Sequence, residues 1–290
     1  MSAISRILVP VDFSERSLGM MPYVKAIARR YSAEVILLHV LNPFYTIPAT
    51  GISEPVLMPV PERFLEDKTK QLEEFGASSL RGVRVRRLAY EGDPETQIIS
   101  FAQTEDVQLI AMPTHGYGVF RRFLIGSVTS KVLHDVACPV LTGAHIKEQP
   151  VVAGLKLSNV VCAIDLTPQS HRVLQYASEF ARDFEARLSI VHVIPPISPG
   201  LMVSFSSDVR RECQEMARAD VGKLQTELDI RDAIVAIQEG DVARQVCSFA
   251  ESVGANLVIA GRGSHDTGVG RLRANAYAII RQAPCPVLTV

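Results

Sequence analysis

The chain repeats itself once, and that constrains its fold more than any other feature. Arg6-Ile7-Leu8-Val9-Pro10-Val11-Asp12 recurs as Asn159-Val160-Val161-Cys162-Ala163-Ile164-Asp165, 153 residues on. At the same offset Leu37-Leu38-His39-Val40 recurs as Ile190-Val191-His192-Val193. Glu91-Gly92-Asp93 returns as Glu239-Gly240-Asp241 after 148 residues, and Cys138-Pro139-Val140-Leu141-Thr142 as Cys285-Pro286-Val287-Leu288-Thr289 after 147. Order is kept and the offset drifts only slightly, so this is a tandem duplication. A period near 150 is too long for a solenoid unit; each copy is a domain. We read the domains as residues 1–146 and 155–290, with Pro150 and Gly154 punctuating the junction.

Within a copy, apolar runs of strand length alternate with helical periodicity. Ile7 to Val11, Val35 to Leu41 and Val107 to Met112 are too apolar to be half-exposed, which marks strands covered on both faces. Val83 to Tyr90 is more polar and belongs nearer an edge, and Pro139 to Thr142 is the fifth strand. Ser14 caps a first helix whose inner face carries Leu18, Met21, Val24, Ile27, Ala28 and Tyr31. Asp93-Pro94 opens another, with proline at the first helical position, and Gly126-Ser127 opens the last. Asn42 to Pro61 holds five prolines and reads as an irregular crossover. In the second copy Thr167-Pro168 is the expected cap of the first helix, and Asp165 the residue that closes a turn. Strands separated by helices imply an α/β fold: two tandem doubly wound parallel five-stranded sheets, order 3-2-1-4-5, with helices on both faces.

Composition narrows the function. Residues 1–150 carry 16 Lys/Arg and 16 Asp/Glu, and residues 151–290 carry 14 and 15. Neither half has the cationic excess that neutralises nucleic-acid phosphates. No apolar run has membrane-spanning length. Five cysteines, an odd number without CxxC or Cys/His spacing, read as reduced core residues, and Met1 to Arg6 runs straight into a strand without a signal-peptide pattern. The expected compartment is the cytoplasm. There is no Gly-x-Gly-x-x-Gly after the first strand, no Walker loop and no Gly-x-Ser-x-Gly elbow.

Ligands of doubly wound sheets bind beyond the carboxyl ends of the strands. There lie Pro10-Val11-Asp12 after strand one and Met112-Pro113-Thr114-His115-Gly116-Tyr117-Gly118 after strand four, with Gly126-Ser127-Val128-Thr129 beyond. Glycines admit close backbone approach, and the free amides, dipole and two hydroxyls of a helix start favour an anion, with Arg121 and Arg122 between. An ordinary Ser/Thr-capped helix after a loop would look the same. His39 and His192 read as packing or strand-end residues, and Ser264-His265-Asp266, adjacent on one loop, is a poor geometry for a hydrolytic triad.

The spacing of Gly116, nine residues, then Gly126-Ser127, together with Asp12, Leu38-His39-Val40 and Cys138-Pro139-Val140, resembles the universal stress protein family in tandem form. The resemblance implies an ATP-binding, nucleotide-dependent stress-response regulator. It assigns Val11, Asp12 and the backbone of Val40 to the adenine end, Met112 and Pro113 to the adenine–ribose side, and Pro10 to the ATP site. His115, Gly116, Gly126, Ser127, Val128 and Thr129 would receive the phosphates with Mg²⁺, no metal ligand coming from the protein. Pro113 stands where the family motif has its first glycine, which removes one amide from the site. The second copy keeps Gly261-Arg262-Gly263 and Asp165 but has no Gly-Ser pair near Ala274, so it is expected to bind ATP weakly or not at all. A slow ATPase or hydrolase in the same cleft, and a nucleotide-free scaffold, stay open. The resemblance further implies that the repeats pack as an internal pseudo-dimer through their fifth strands, with a homodimer as an added option. No membrane or nucleic-acid partner is expected.

Overall fold

The computed structural model describes residues 4–46, 56–58, 60–115, 125–143, 155–195, 207–262 and 274–290. Gly116, Gly118, Arg121, Arg122, residues 263–273 and most of the domain junction lie outside them. The chain divides into two compact units, built mainly on residues 2–140 and 156–290.

In the first unit, β1 (Arg6–Pro10) lies between β2 (Glu34–Leu41) and β6 (Leu109–Pro113), paired in parallel with both. β5 (Val85–Glu91) pairs in parallel with β2, and β7 (Val140–Gly143) neighbours β6. The order β5-β2-β1-β6-β7 is the expected 3-2-1-4-5. In the second unit β10 (Ile234–Glu239), β9 (Arg187–Ile194), β8 (Asn159–Ile164), β11 (Leu257–Ala260) and β12 (Val287–Thr289) repeat it, every pair parallel. Burial explains the apolar runs. Ile7 to Val9, Val35 to Leu38 and Leu109 to Met112 are buried at consecutive positions, so both sheet faces are covered. β5, at the edge, is only half-buried, as its polarity implied.

Helix starts follow local chemistry. Ser14 caps α1 (Glu15–Tyr31) by accepting from the Ser17 amide, and Asp93 caps α3 (Pro94–Thr104) by accepting from the Thr96 amide. α4 (Ser127–Asp135) has Gly126 at its cap and no side-chain cap bond. α2 is Glu62–Glu74; α5 (Ser170–Asp183), α6 (Ser207–Glu227), α7 (Val242–Ser252) and α8 (Ala274–Gln282) complete the second unit's helices among the described residues.

Three local expectations need correction. Leu18 is exposed and Met20 is buried in its stead, because the inner stripe of α1 runs through Met20, Val24 and Ile27. The crossover at residues 42–61 is not wholly irregular, since β3 (Phe44–Thr46) and β4 (Val56–Met58) pair antiparallel. Thr167-Pro168 does not cap α5. That helix starts at Ser170 behind Gln169, which is already helical, and the Thr167 hydroxyl donates instead to Asp165 at 2.6 Å.

Candidate functional site

One strand ends early and leaves a gap at the carboxyl edge of the first sheet. β1 stops at Pro10, opposite Leu38, while β2 runs on to Leu41. The Val11 amide donates to the Leu38 carbonyl at 2.8 Å, so Leu38 directs its peptide groups toward β1. Leu41 directs its carbonyl the other way, accepting from the Gly92 amide at 2.9 Å. Alternation along a strand then turns the N–H and C=O of Val40 to the β1 side, beyond the end of β1. One donor and one acceptor thus face the gap.

The gap is a cavity of about 310 Å³. Pro10, Val11, Asp12, Val40, Met112, Pro113, His115, Gly126, Ser127, Val128 and Thr129 all line it. Of the twelve positions singled out in the sequence, only Gly116 is missing, and it lies outside the described residues. Ser17, Leu38, His39, Pro94 and Ile98 also line the cavity and were not among them. Pro94 and Ile98 had a signal. The helix that follows an edge strand starts at the carboxyl edge of the sheet, so the first turns of α3 belong there.

Hydrogen bonding assigns finer roles. Oδ1 of Asp12 accepts from the Ser14 amide at 3.0 Å and from the Ser14 and Ser17 hydroxyls, both at 2.6 Å. These bonds fix the carboxylate at the start of α1 and do not use Oδ2. Phe13, with φ +63°, takes the left-handed backbone that turns the chain here, and its ring packs 4.5 Å from His39 and 5.6 Å from Phe75. Val11 is engaged at both peptide groups, because its carbonyl also accepts from Nδ1 of His39 at 2.7 Å. It offers the cavity mainly its side chain. Burial is the main cause holding the His39 imidazole below its ordinary pKa; Lys68 pushes the same way, while the Val11 carbonyl and Asp12 oppose. The ring is therefore a neutral wall.

At the opposite side the cap of α4 is fixed. The Gly126 amide donates to the Thr114 carbonyl at 2.8 Å, and the Thr129 hydroxyl donates to the Pro113 carbonyl at 3.0 Å. Thr129 has one hydroxyl proton and has spent it. Of the two hydroxyls expected to meet an anion, only Ser127's remains to donate. The amides of Ser127, Val128 and Thr129 have no intrahelical partners and no side-chain cap. A phosphate would find these three amides at the positive end of the helix. Gly126 itself has φ −60°, which any residue adopts, and a Cβ there would sit at ordinary contact distance, 3.5 Å from the Thr114 carbonyl. The fold does not require this glycine. His115 completes this wall, its Nδ1 2.9 Å from the Thr114 hydroxyl.

The second unit repeats the arrangement with differences. Asp165 accepts from the amide and hydroxyl of Thr167 and from the Ser170 hydroxyl. Nδ1 of His192 meets the Ile164 carbonyl at 3.0 Å. The helix register pairs Ser127 with Ala274, so the position matching Gly126 is Arg273, which lies outside the described residues. Ser264, His265 and Asp266 also lie outside them. The cysteines are free thiols; burial pushes Cys285 up to about 12 and Cys247 to about 11, against reactivity. Among the described residues no helix is long and apolar enough to cross a membrane.

The universal stress protein family model matches residues 3–142 and again 156–290. A universal stress protein of Methanocaldococcus jannaschii is 34% identical over 150 residues, which cover 50% of this chain and 84% of that protein. One from Bacillus subtilis is 27% identical over 148 residues, covering 47% of this chain and 97% of its own. Among solved structures, a universal stress protein from Archaeoglobus fulgidus superposes with a TM-score of 0.68 at 22% identity, covering 98% of this chain and 95% of that one. Its likeness shows the fold.

Proposed function

The chain belongs to the universal stress protein family, and on that premise we propose that its first repeat binds ATP and that occupancy regulates a stress response in the cytoplasm. One observation carries the reading: the unpaired peptide edge of Val40 and the open first turn of α4 face one cavity from opposite sides. The edge of Val40 offers a donor beside an acceptor, the pattern that reads the hydrogen-bonding edge of a base. Oδ2 of Asp12 adds a second acceptor, and Leu38, Ile98 and Met112 supply apolar walls for a flat ring. The amides of Ser127, Val128 and Thr129 with the Ser127 hydroxyl suit the phosphates. At about 310 Å³ the cavity is at the small end of ligand sites, enough for base and sugar with the phosphates running out along α4.

Mg²⁺ would arrive on the phosphates. Among the described residues no cluster of three or more His, Cys, Asp or Glu is placed to hold a metal ion. ATP binding here is regulatory in this reading. The test is calorimetric titration of the full chain with ATP and Mg²⁺. A single tight site supports the reading, and absence of binding up to millimolar ATP would remove it.

A further inference from the structure

We propose that β10, the edge strand of the second repeat, pairs antiparallel with β10 of a second copy of this chain about a two-fold axis. The surface is distinct from the fifth strand, and nothing in the argument depends on a bound nucleotide.

A strand at the end of a sheet presents a row of unpaired peptide groups, and charged side chains keep other strands off it. The first repeat protects its edge in this way. On β5, Arg86 donates to Glu105 at 2.6 Å and lies 3.7 Å from Glu34. Arg87 donates from Nε to the Leu72 carbonyl at 2.9 Å, and Arg84 is largely exposed beside them. A copy laid along β5 would set arginine against arginine. The second repeat has lost this protection. Arg86 and Arg87 become Ile234 and Val235, and the carboxylates Glu34 and Glu105 become Arg187 and Val253. Ile234 is left 58% exposed at the start of β10. No charge follows until Glu239, which stays within its own unit: it accepts from Gln214 at 2.6 Å and lies 3.8 Å from Arg210.

The backbone of this edge is free. The Gly240 amide donates to the Ile194 carbonyl at 3.0 Å, so it faces β9. Alternation along the strand turns the peptide groups of Gln238, Ala236 and Ile234 to β9 as well, and those of Val235, Ile237 and Glu239 outward. Among the described residues nothing bonds to the outward groups. A two-fold axis at Ile237 sets this residue opposite its copy and Val235 opposite Glu239. Facing residues of this kind exchange both N–H and C=O, which gives about six main-chain hydrogen bonds. The side chains suit the register, because aliphatic meets aliphatic at the axis and Glu239 meets a valine in place of a second carboxylate. Closure favours a copy of the chain over a foreign strand. A foreign strand leaves a new open edge on its far side, whereas the two-fold pair uses both edges at once.

The test is sedimentation velocity of the full chain over micromolar concentrations, where we expect a two-chain species. Ile234→Arg combined with Val235→Arg restores the first repeat's side chains at both positions. It should weaken association by about tenfold or more, because like charges then line both edges, while circular dichroism stays native. Arg84→Ala, on the protected edge of the first repeat, should leave association unchanged. Amide exchange followed by NMR needs no variant and decides the matter if the arginine variant folds poorly. The N–H groups of Val235, Ile237 and Glu239 should exchange fast in dilute protein and slowly at concentrations where the two-chain species forms. A chain that stays single throughout, a dimer that keeps its affinity with both arginines in place or loses it with Arg84→Ala, or outward amides that exchange alike in both states overturns the proposal.

Discussion

The hydroxyl of Thr129 donates to the carbonyl of Pro113 across 3.0 Å, and this bond ties the first turn of α4 to the end of β6. Both partners are buried. Proline has no amide to pair, so at Pro113 itself only the carbonyl can be held. The same bond takes the hydroxyl away from any ligand.

Thr129→Val keeps the shape of the side chain and deletes the donor. The buried carbonyl then loses its partner, at a cost of about 1–3 kcal/mol. We expect the melting temperature to fall by a few degrees and ATP affinity to change much less than in the glycine variant below. A Thr129→Val protein of wild-type stability that has lost ATP would show that the hydroxyl serves the ligand and that the bond to Pro113 is incidental.

Gly126→Val tests the approach of the phosphates. The backbone angles at this position admit an L residue, and a Cβ has room beside the Thr114 carbonyl. The fold should therefore survive, with native circular dichroism. The branched side chain would stand where the phosphates meet the amides of Ser127 to Thr129, and we expect a loss of at least ~2 kcal/mol of ATP binding, about thirtyfold. Normal ATP binding by this variant would place the phosphates elsewhere.

The duplicated strand motifs made the sheet legible in advance, because a strand buried on both faces must be apolar at every position, and few other structures ask for that. The cavity lining was legible for a related reason: strand ends and helix starts meet at one edge of a doubly wound sheet. What stayed hidden is what sequence does not encode locally. Leu18 and Met20 are both apolar, and only the packing of α1 decides which faces inward. The Thr129 hydroxyl looked available until its distance to Pro113 was known.

Stoichiometry separates the repeats. Only the first keeps a glycine before the last helix, with hydroxyls in its first turn, so we expect one tight ATP per chain. Native mass spectrometry with ATP and Mg²⁺ should show a single added nucleotide at low micromolar concentration. Two equivalent nucleotides would mean that Ala274, Asn275 and Ala276 serve a triphosphate as well as Ser127, Val128 and Thr129 do, contrary to the donor counts of the two helix starts.

His39 contributes to the response to acid. Its imidazole is held below the ordinary histidine pKa of 6.5, chiefly because burial disfavours the charged ring, with the positive charge of Lys68 adding to the effect. Lys68 also lies 5.0 Å above the ring of Phe13, which packs against His39, so the three form one cluster. The unfolded chain takes up the proton at higher pH than the folded one. Its stabilising contribution is then complete above about pH 6.5 and is lost as the pH falls through the lower, folded-state pKa. We expect the wild-type melting temperature to drop more between pH 7.5 and pH 5.5 than that of His39→Asn, which keeps an N–H for the Val11 carbonyl but cannot take a proton. A proton NMR titration checks the cause directly. The His39 ring should titrate below 6.5, and Lys68→Gln should move its midpoint upward. A midpoint at or above 6.5 in the wild type, or one indifferent to Lys68, would remove both the burial argument and the cluster from the account of this site.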